Sequence, residues 1–557
     1  MAKRAPLDCG PHATKRQRTE VFLSPVPDNF PQDKLPSLGE LVLGGRCSEA
    51  KILLSRQRAA IDERDQDGMT PLLQAVGLKN AKMASILIEN KASLEVRDLE
   101  GRTALAIAAS NGCIESTKVL LAARANLEAP DYSGRTVLNL AACNGELKIL
   151  ELLISEGALM EARDAEKRTV LQTAGCNGHA NIVRTLVMRK ASLEAVDSSN
   201  ETALIISARK GHAPVVKTLL EMNASAFHIL EHKNAHGFSA LSCSSCSGHF
   251  DVVNLLLAAG GDIESRSNEG FTPLLCASCG GRQEVVSLLL DRKAKIESFN
   301  NHGDTPLLLT ALKGHKDVAE VLIQRGANLE AKERDGMTPL MVASLEGHDK
   351  LVKTFLEAGA NIEASNNGGT SLMCAVFQQH KKVTELLLEH KAFVDPRNTD
   401  GDSALKLAAR DRNRHLAEIL LDAGADFLMK NAWGVSVIDE VFHNLRAARN
   451  TQNLEQEWEL YGLISLFTFH PRALPKHREL LVPRFMTELV PTSQEQLMRR
   501  ELLSEIRDAV DHVMGAGAQK WMPKEFVRIV STSIFEYVDN CCVVLREISR
   551  HVNSMSM

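Results

Sequence analysis

An all-α repeat array with a further helical region behind it is the fold class this sequence predicts, on three observations. A Gly-x-Thr/Ser-x-Leu core recurs at Gly68, Gly101, Gly134, Gly237, Gly270, Gly303, Gly336, Gly368, Gly401 and Gly434. Lys167 and Asn200 stand where two more glycines would fall, and the steps are 33 residues except one of 37 and one of 32. Aromatic residues are only 4% of the 557, and Trp433, Trp458 and Trp521 all lie in the last quarter. The earlier part must therefore build its core from Leu, Ile, Val and Ala, as small stacked units do.

One unit, residues 335–367, shows how each element arises. Asp335 and Gly336 supply a tight turn that Gly closes with positive φ. Thr338 and Pro339 open a first helix, the hydroxyl capping it and the Pro taking its first position. Leu340, Ala343 and Ser344 keep that helix thin, and Gly347 ends it. Leu351, Val352, Phe355 and Leu356 then give a second helix an apolar stripe, terminated at Gly359. Such a pair cannot bury its stripe alone, so neighbouring units must supply the core.

These residues resemble the ankyrin-repeat family over roughly 35–449, with about eleven near-complete repeats plus partial end units. The resemblance implies an all-α solenoid. Where the family has His after Thr-Pro-Leu, this chain has Leu73, Ala106, Asn139, Gln172, Ile205, Ser242, Leu275, Leu308, Met341, Met373 and Lys406. The hydrogen bond of that His is expected to be absent and the repeats softer. The stretch 284–297, EVVSLLLDRKAKIE, is similar to repeats of the large family joining multiple ankyrin repeats to a single KH domain. Gly515-Ala516-Gly517-Ala518 lacks the Gly-x-x-Gly spacing of a KH loop, so RNA binding is not inherited.

Four regions follow. Residues 1–34 hold five prolines and no apolar period, and read as a disordered basic arm. Within them Lys3 and Arg4, then Lys15, Arg16 and Arg18, have the two-cluster spacing of a nuclear import signal. Residues 35–66 read as an N-terminal capping repeat on Leu38, Leu41, Leu53 and Leu54, and 67–449 as the array. Residues 450–557 read as a helical module. There Ser493 and Gln496 form a capping box ahead of Leu503, Ile506, Val510 and Val513, and Pro523 opens a stripe from Phe526 to Ile548.

Chemistry-bearing residues read mostly as scaffold. Cys243-x-x-Cys246 and Cys276-x-x-Cys279 mimic a zinc set, but the pairs are 33 residues apart and occupy equivalent positions in adjacent repeats. Helix axes about 8–10 Å apart are too distant for one tetrahedral ion. The column His179, His212, His249, His315, His348 and His380 is likewise spaced by whole repeats. The four-residue insertion is expected to lengthen the finger at 224–236, bringing His228, His232 and His236 to four-residue spacing. Glu95, Glu128, Glu161, Glu194, Glu264, Glu297, Glu330 and Glu363 recur before each turn, with Arg97, Arg163, Arg266 and Lys332 two residues on; a solvated, self-neutralising edge is expected.

The concave side, lined by finger turns and first helices, is the expected binding face. Candidate contacts are Arg102 with Asn111, Arg135 with Asn144 and Arg168 with Asn177, followed by Phe238 and Phe271 as exposed aromatic anchors. The net charge of −5 and the lack of an 18-residue apolar run argue against nucleic-acid and membrane partners. No nucleophile–base pair, phosphate loop or metal set is visible, so no enzyme and no cofactor are expected. The expected function is a non-catalytic scaffold or adaptor for partner proteins, in nucleus or cytoplasm. In that reading 450–557 docks a second partner or self-associates; the alternative is a substrate-recruiting adaptor of a ubiquitin ligase or other enzyme complex through this helical module.

Overall fold

The computed structural model describes residues 37–56, 60–222, 227–451 and 454–469. The basic clusters at 3–18 and the stripes at 493–548 lie outside them. The chain divides into two compact units, Met1–Ala191 and Ser192–Met557.

Unit 1 is a stack of helix pairs: α1 (Leu38–Leu43) with α2 (Cys47–Ser55), α3 (Pro71–Gly77) with α4 (Ala81–Glu89), and α5 (Ala104–Ser110) with α6 (Ile114–Ala122). Next come α7 (Val137–Cys143) with α8 (Leu147–Ser155), and α9 (Val170–Cys176) with α10 (Ala180–Met188). First helices pack on first helices and second on second, as in α5 on α7 and α4 on α6.

Unit 2 opens with α11 (Ala203–Lys210) and α12 (Ala213–Glu221), then a single helical turn, α13 (Phe227–Leu230). Its pairs continue as α14 (Ala240–Ser247) with α15 (Phe250–Ala258), α16 (Pro273–Cys279) with α17 (Gln283–Asp291), and α18 (Pro306–Lys313) with α19 (Lys316–Gln324). Then follow α20 (Pro339–Leu345) with α21 (Asp349–Glu357), α22 (Ser371–Phe377) with α23 (Lys381–Glu389), and α24 (Ala404–Arg410) with α25 (Arg414–Ala423). A last pair is α26 (Val437–Asn450) and α27 (Leu454–Phe469). The shortened 32-residue step carries an antiparallel finger, β1 (Ser365–Asn366) paired with β2 (Gly369–Thr370).

Local chemistry sets these boundaries. Thr70 and Thr338 accept a hydrogen bond from the amide three residues on, each at 3.4 Å. Pro occupies the first turn of α3, α16, α18 and α20. The expected stripe of α21 is buried at Leu351, Val352 and Phe355, with Leu356 half-buried. Each such side chain contributes about 1.5–3 kcal/mol of burial.

The position lacking the family His is not uniformly apolar in effect. Asn139 Oδ1 accepts from the Thr136 hydroxyl at 2.8 Å, and Gln172 Oε1 accepts from the Thr169 amide at 2.8 Å. A polar tie at the helix start therefore persists in those repeats, contrary to the expectation of its loss. Lys406 is buried and pairs with Asp402 at 2.9 Å and Glu440 at 3.1 Å, tying α24 to α26. The boundary expected at 450 falls between α26 and α27, which pack on each other. Phe467 of α27 stacks on Phe427 with centroids 5.8 Å apart, and Arg412 pairs with Glu459 at 2.7 Å.

Candidate protein-binding face

The finger turns are held as a ladder. In unit 1 the Tyr132 amide donates to the Glu100 carbonyl at 3.1 Å and Ala165 to Ser133 at 2.9 Å. In unit 2 Ala235 donates to Ser199, Asn268 to His236, Asn301 to Glu269 and Arg334 to His302, at 2.9–3.2 Å. This close approach is why glycine is required at Gly134: its φ is +74°, and a Cβ there would meet the Ala165 amide nitrogen at 2.7 Å.

The recurring acids are clamps across repeats, which overturns their reading as a self-neutralising edge. Glu128 Oε1 accepts the Leu159 amide at 2.9 Å, Glu264 that of Lys295 at 2.8 Å, and Glu297 and Glu330 those of Asn328 and Asn361 at 2.7 Å. Their basic neighbours donate to backbone as well: Arg266 to the Phe299 carbonyl at 2.7 Å, Lys233 to Arg266 at 2.8 Å. Several members of the His column work the same way. His179 Nε2 bonds the Cys143 carbonyl at 2.9 Å, His315 that of Cys279 at 3.1 Å and His380 that of Leu345 at 3.0 Å.

Glu231 belongs to the acid column too, accepting the Asp262 amide at 3.1 Å. The four-residue insertion therefore lies ahead of Glu231, around α13, whose Ile229 and Leu230 are buried. The finger proper keeps its ordinary length, and His232 bonds the Asn200 carbonyl at 3.0 Å.

The arginine strip of unit 1 turns inward. Arg102, Arg135 and Arg168 each pair with the acid four residues earlier, Asp98, Asp131 and Asp164, at 2.8–2.9 Å. Those carboxylates are almost fully buried, while the arginines keep about a quarter of their surface. Each Asp also accepts two turn amides, as Asp131 does from Ser133 and Arg135. Asn144 Nδ2 donates to Ser110 Oγ at 3.1 Å and Leu140 O at 3.0 Å, and Asn177 Nδ2 to Thr173 O at 2.8 Å. The Asn111 carbonyl accepts from Lys79 Nζ at 2.7 Å.

Phe238 and Phe271 are not freely exposed, as expected from sequence, but half-buried against each other, edge to face with centroids 6.5 Å apart. A second column, at the far ends of the first helices, is the seventh residue after each capping Thr or Ser. In unit 2 it reads Arg209, Cys246, Cys279, Leu312, Leu345, Phe377 and Arg410. Cys246 is exposed, Leu312 is 38% exposed and Phe377 is 50% exposed. The signal lies in the repeat register, one residue before the column of Asn111, Asn144 and Asn177.

Burial pushes the Cys243 thiol up to about 12 and that of Cys374 to about 11, and Cys276 and Cys279 are raised for the same reason. Protonated thiols are poor nucleophiles and poor metal ligands. Among the described residues no three or more His, Cys, Asp or Glu side chains form a group able to hold a metal, and no helix is long and apolar enough to cross a membrane.

A family model described as ankyrin repeats, in three copies, matches residues 40–131, 124–197, 193–267, 224–300, 241–333, 297–366 and 359–431. Among curated proteins, none matches the chain. Ankyrin repeats are generally protein–protein interaction modules, typically non-catalytic, built by stacking units that share one core. The repeat phase, the stacked helix pairs and this match agree: the chain belongs to the ankyrin-repeat family.

Proposed function

We propose that the protein is a non-catalytic scaffold or adaptor that holds partner proteins on the concave face formed by first helices and finger turns. The observation that carries this reading is the set of apolar side chains at the first helices of unit 2, Phe238 and Phe271 ahead of their starts and Leu312 and Phe377 at their ends, left partly open to solvent. Large apolar side chains left open on such a face suit contact with a partner protein. Phe238 and Phe271 keep their role as anchors, acting as a pair.

The test replaces both phenylalanines with Ala in the full-length chain and compares co-purifying proteins. Loss of specific partners is expected, and an unchanged set would remove the assignment. For the basic arm we propose nuclear import. Lys15, Arg16 and Arg18 changed to Ala should lower the nuclear signal on imaging, and an undiminished signal contradicts it.

A further inference from the structure

Four Asn-Gly pairs occur in the chain, at 111–112, 144–145, 177–178 and 367–368. Such a pair carries its own chemistry, because no side chain on the second residue shields its amide nitrogen from the Asn carboxamide. Three of the pairs close first helices. Asn111, Asn144 and Asn177 hold ψ at 0–1°, and their glycines are half-buried at positive φ. The Asn144 and Asn177 carboxamides donate to the carbonyls four residues back, at 3.0 and 2.8 Å. A ring joining the side chain to the next nitrogen needs that peptide turned well away from ψ near zero, so each helix end must open first.

The fourth pair is placed differently. Asn367 and Gly368 are exposed and form the two-residue turn between β1 and β2. Gly368 stands where Gly336 and Gly401 take φ of +77° and +76°, yet it lies outside the left-handed region; the shortened step passes positive φ to Gly369, at +115°. A Cβ at 368 would meet only the Asn366 side-chain oxygen, at 3.3 Å. The fold therefore does not require glycine there. The Asn367 carbonyl accepts from the Thr399 amide at 3.2 Å and from its hydroxyl at 3.1 Å, joining this finger to the next.

We infer that Asn367 is a site of self-modification by deamidation, and that the change unties this finger from the next repeat. The Gly368 nitrogen, losing its proton, attacks Cγ of Asn367. A C–N bond forms, the Cγ–Nδ2 bond breaks, and ammonia leaves with that proton. Water then opens the five-membered imide at either carbonyl, giving aspartate or isoaspartate. The net change is carboxamide plus water to carboxylic acid plus ammonia, with nothing oxidised or reduced. Isoaspartate routes the main chain through the former side chain, lengthens a turn of two residues and turns the carbonyl that serves Thr399 into a branching carboxylate.

The full-length chain is incubated at mildly alkaline pH and digested, and each Asn-Gly pair is followed by peptide mass spectrometry. Asn367 should convert roughly tenfold or more faster than Asn111, Asn144 and Asn177, which wait on the opening of a helix end. In urea the four rates should converge. Gly368→Ala should suppress conversion at 367, and an unchanged thermal midpoint shows that the fold is kept. Hydrogen exchange of the Thr399 amide should be roughly threefold or more faster in the isoaspartate form, and unchanged in Asn367→Asp, whose main chain keeps its length. Conversion at 367 no faster than at the other three, a lead that persists in urea, or undiminished conversion in Gly368→Ala overturns the site. Equal Thr399 exchange in fresh and aged protein overturns the untied finger.

Discussion

In three successive repeats of unit 1 the residue ahead of the capping Thr is Arg102, Arg135 or Arg168, and each guanidinium is neutralised by an Asp of its own turn. In unit 2 the same position holds Phe238 and Phe271, and the turn residue four positions earlier is Asn234 or Ser267 instead of Asp. Where the following residue is itself acidic, Asp304, the turn residue is Asn300, whose side-chain amide donates to it at 2.9 Å. The turn is built identically in all three cases, because Asp, Asn and Ser can each accept the turn amide. What changes is whether the neighbouring side chain is an arginine paired inside its repeat or a phenylalanine half-buried against its counterpart in the next repeat. At this one position the scaffold thus carries paired arginines in three repeats of unit 1 and a pair of phenylalanines in two repeats of unit 2.

The sharpest way to break this comparison is at a turn glycine. Gly134→Ala in unit 1 combines positive φ with a clash against the Ala165 amide and should cost about 3 kcal/mol in urea unfolding. Gly326→Ala in unit 2 has positive φ but nothing within 4 Å, and should cost about 1 kcal/mol. Equal losses would show that finger contact is irrelevant.

Asp131→Ala should cost about 2 kcal/mol, since it strands Arg135 and two turn amides. Arg135→Ala should cost less, because the carboxylate still serves those amides. A larger loss from Arg135→Ala would place the stability in the ion pair alone.

Buried thiols make unit 2 sensitive to alkali. Cys243 and Cys374 have folded values above the ordinary thiol value of 9.0, so their contribution is present below pH 9 and is lost as pH rises toward 11–12. Each contributes about 1.4 kcal/mol per unit of pH over that window. Cys243→Ala should flatten the fall in unfolding midpoint between pH 9 and 11, and an unaltered slope would contradict the assignment.

The smallest effect is a gain. Lys167 replaces a turn glycine yet keeps φ at +62°, so Lys167→Gly should stabilise unit 1 by about 1 kcal/mol. Asn200, with φ +59°, should gain nothing from the same change, because Asn tolerates the left-handed region and its Nδ2 donates to the Lys233 carbonyl at 2.8 Å.

Much of the fold was legible because its signals are local. Thr-Pro at a helix start, Gly at its end and the stripe of α21 all act within a few residues. The apposition of Phe238 and Phe271 was implicit in their 33-residue spacing. The clamps were harder to see, because Glu264 acts on an amide 31 residues away and nothing about an exposed acid reveals its acceptor role. The inward turn of the arginines was visible in the Asp-x-x-x-Arg spacing, but consensus and contact look alike until the side chain is placed. The insertion was misplaced for want of one anchor, Glu231, which restores the acid register after it.

The central claim is that unit 2 presents the binding surface while the unit 1 arginines serve the scaffold. It is tested most directly by placing a photo-crosslinking benzoylphenylalanine at position 312 or at position 135 of the full-length chain and irradiating in cells. Crosslinks to other proteins at 312 and none at 135 are predicted. Crosslinks at 135 with none at 312 would contradict it.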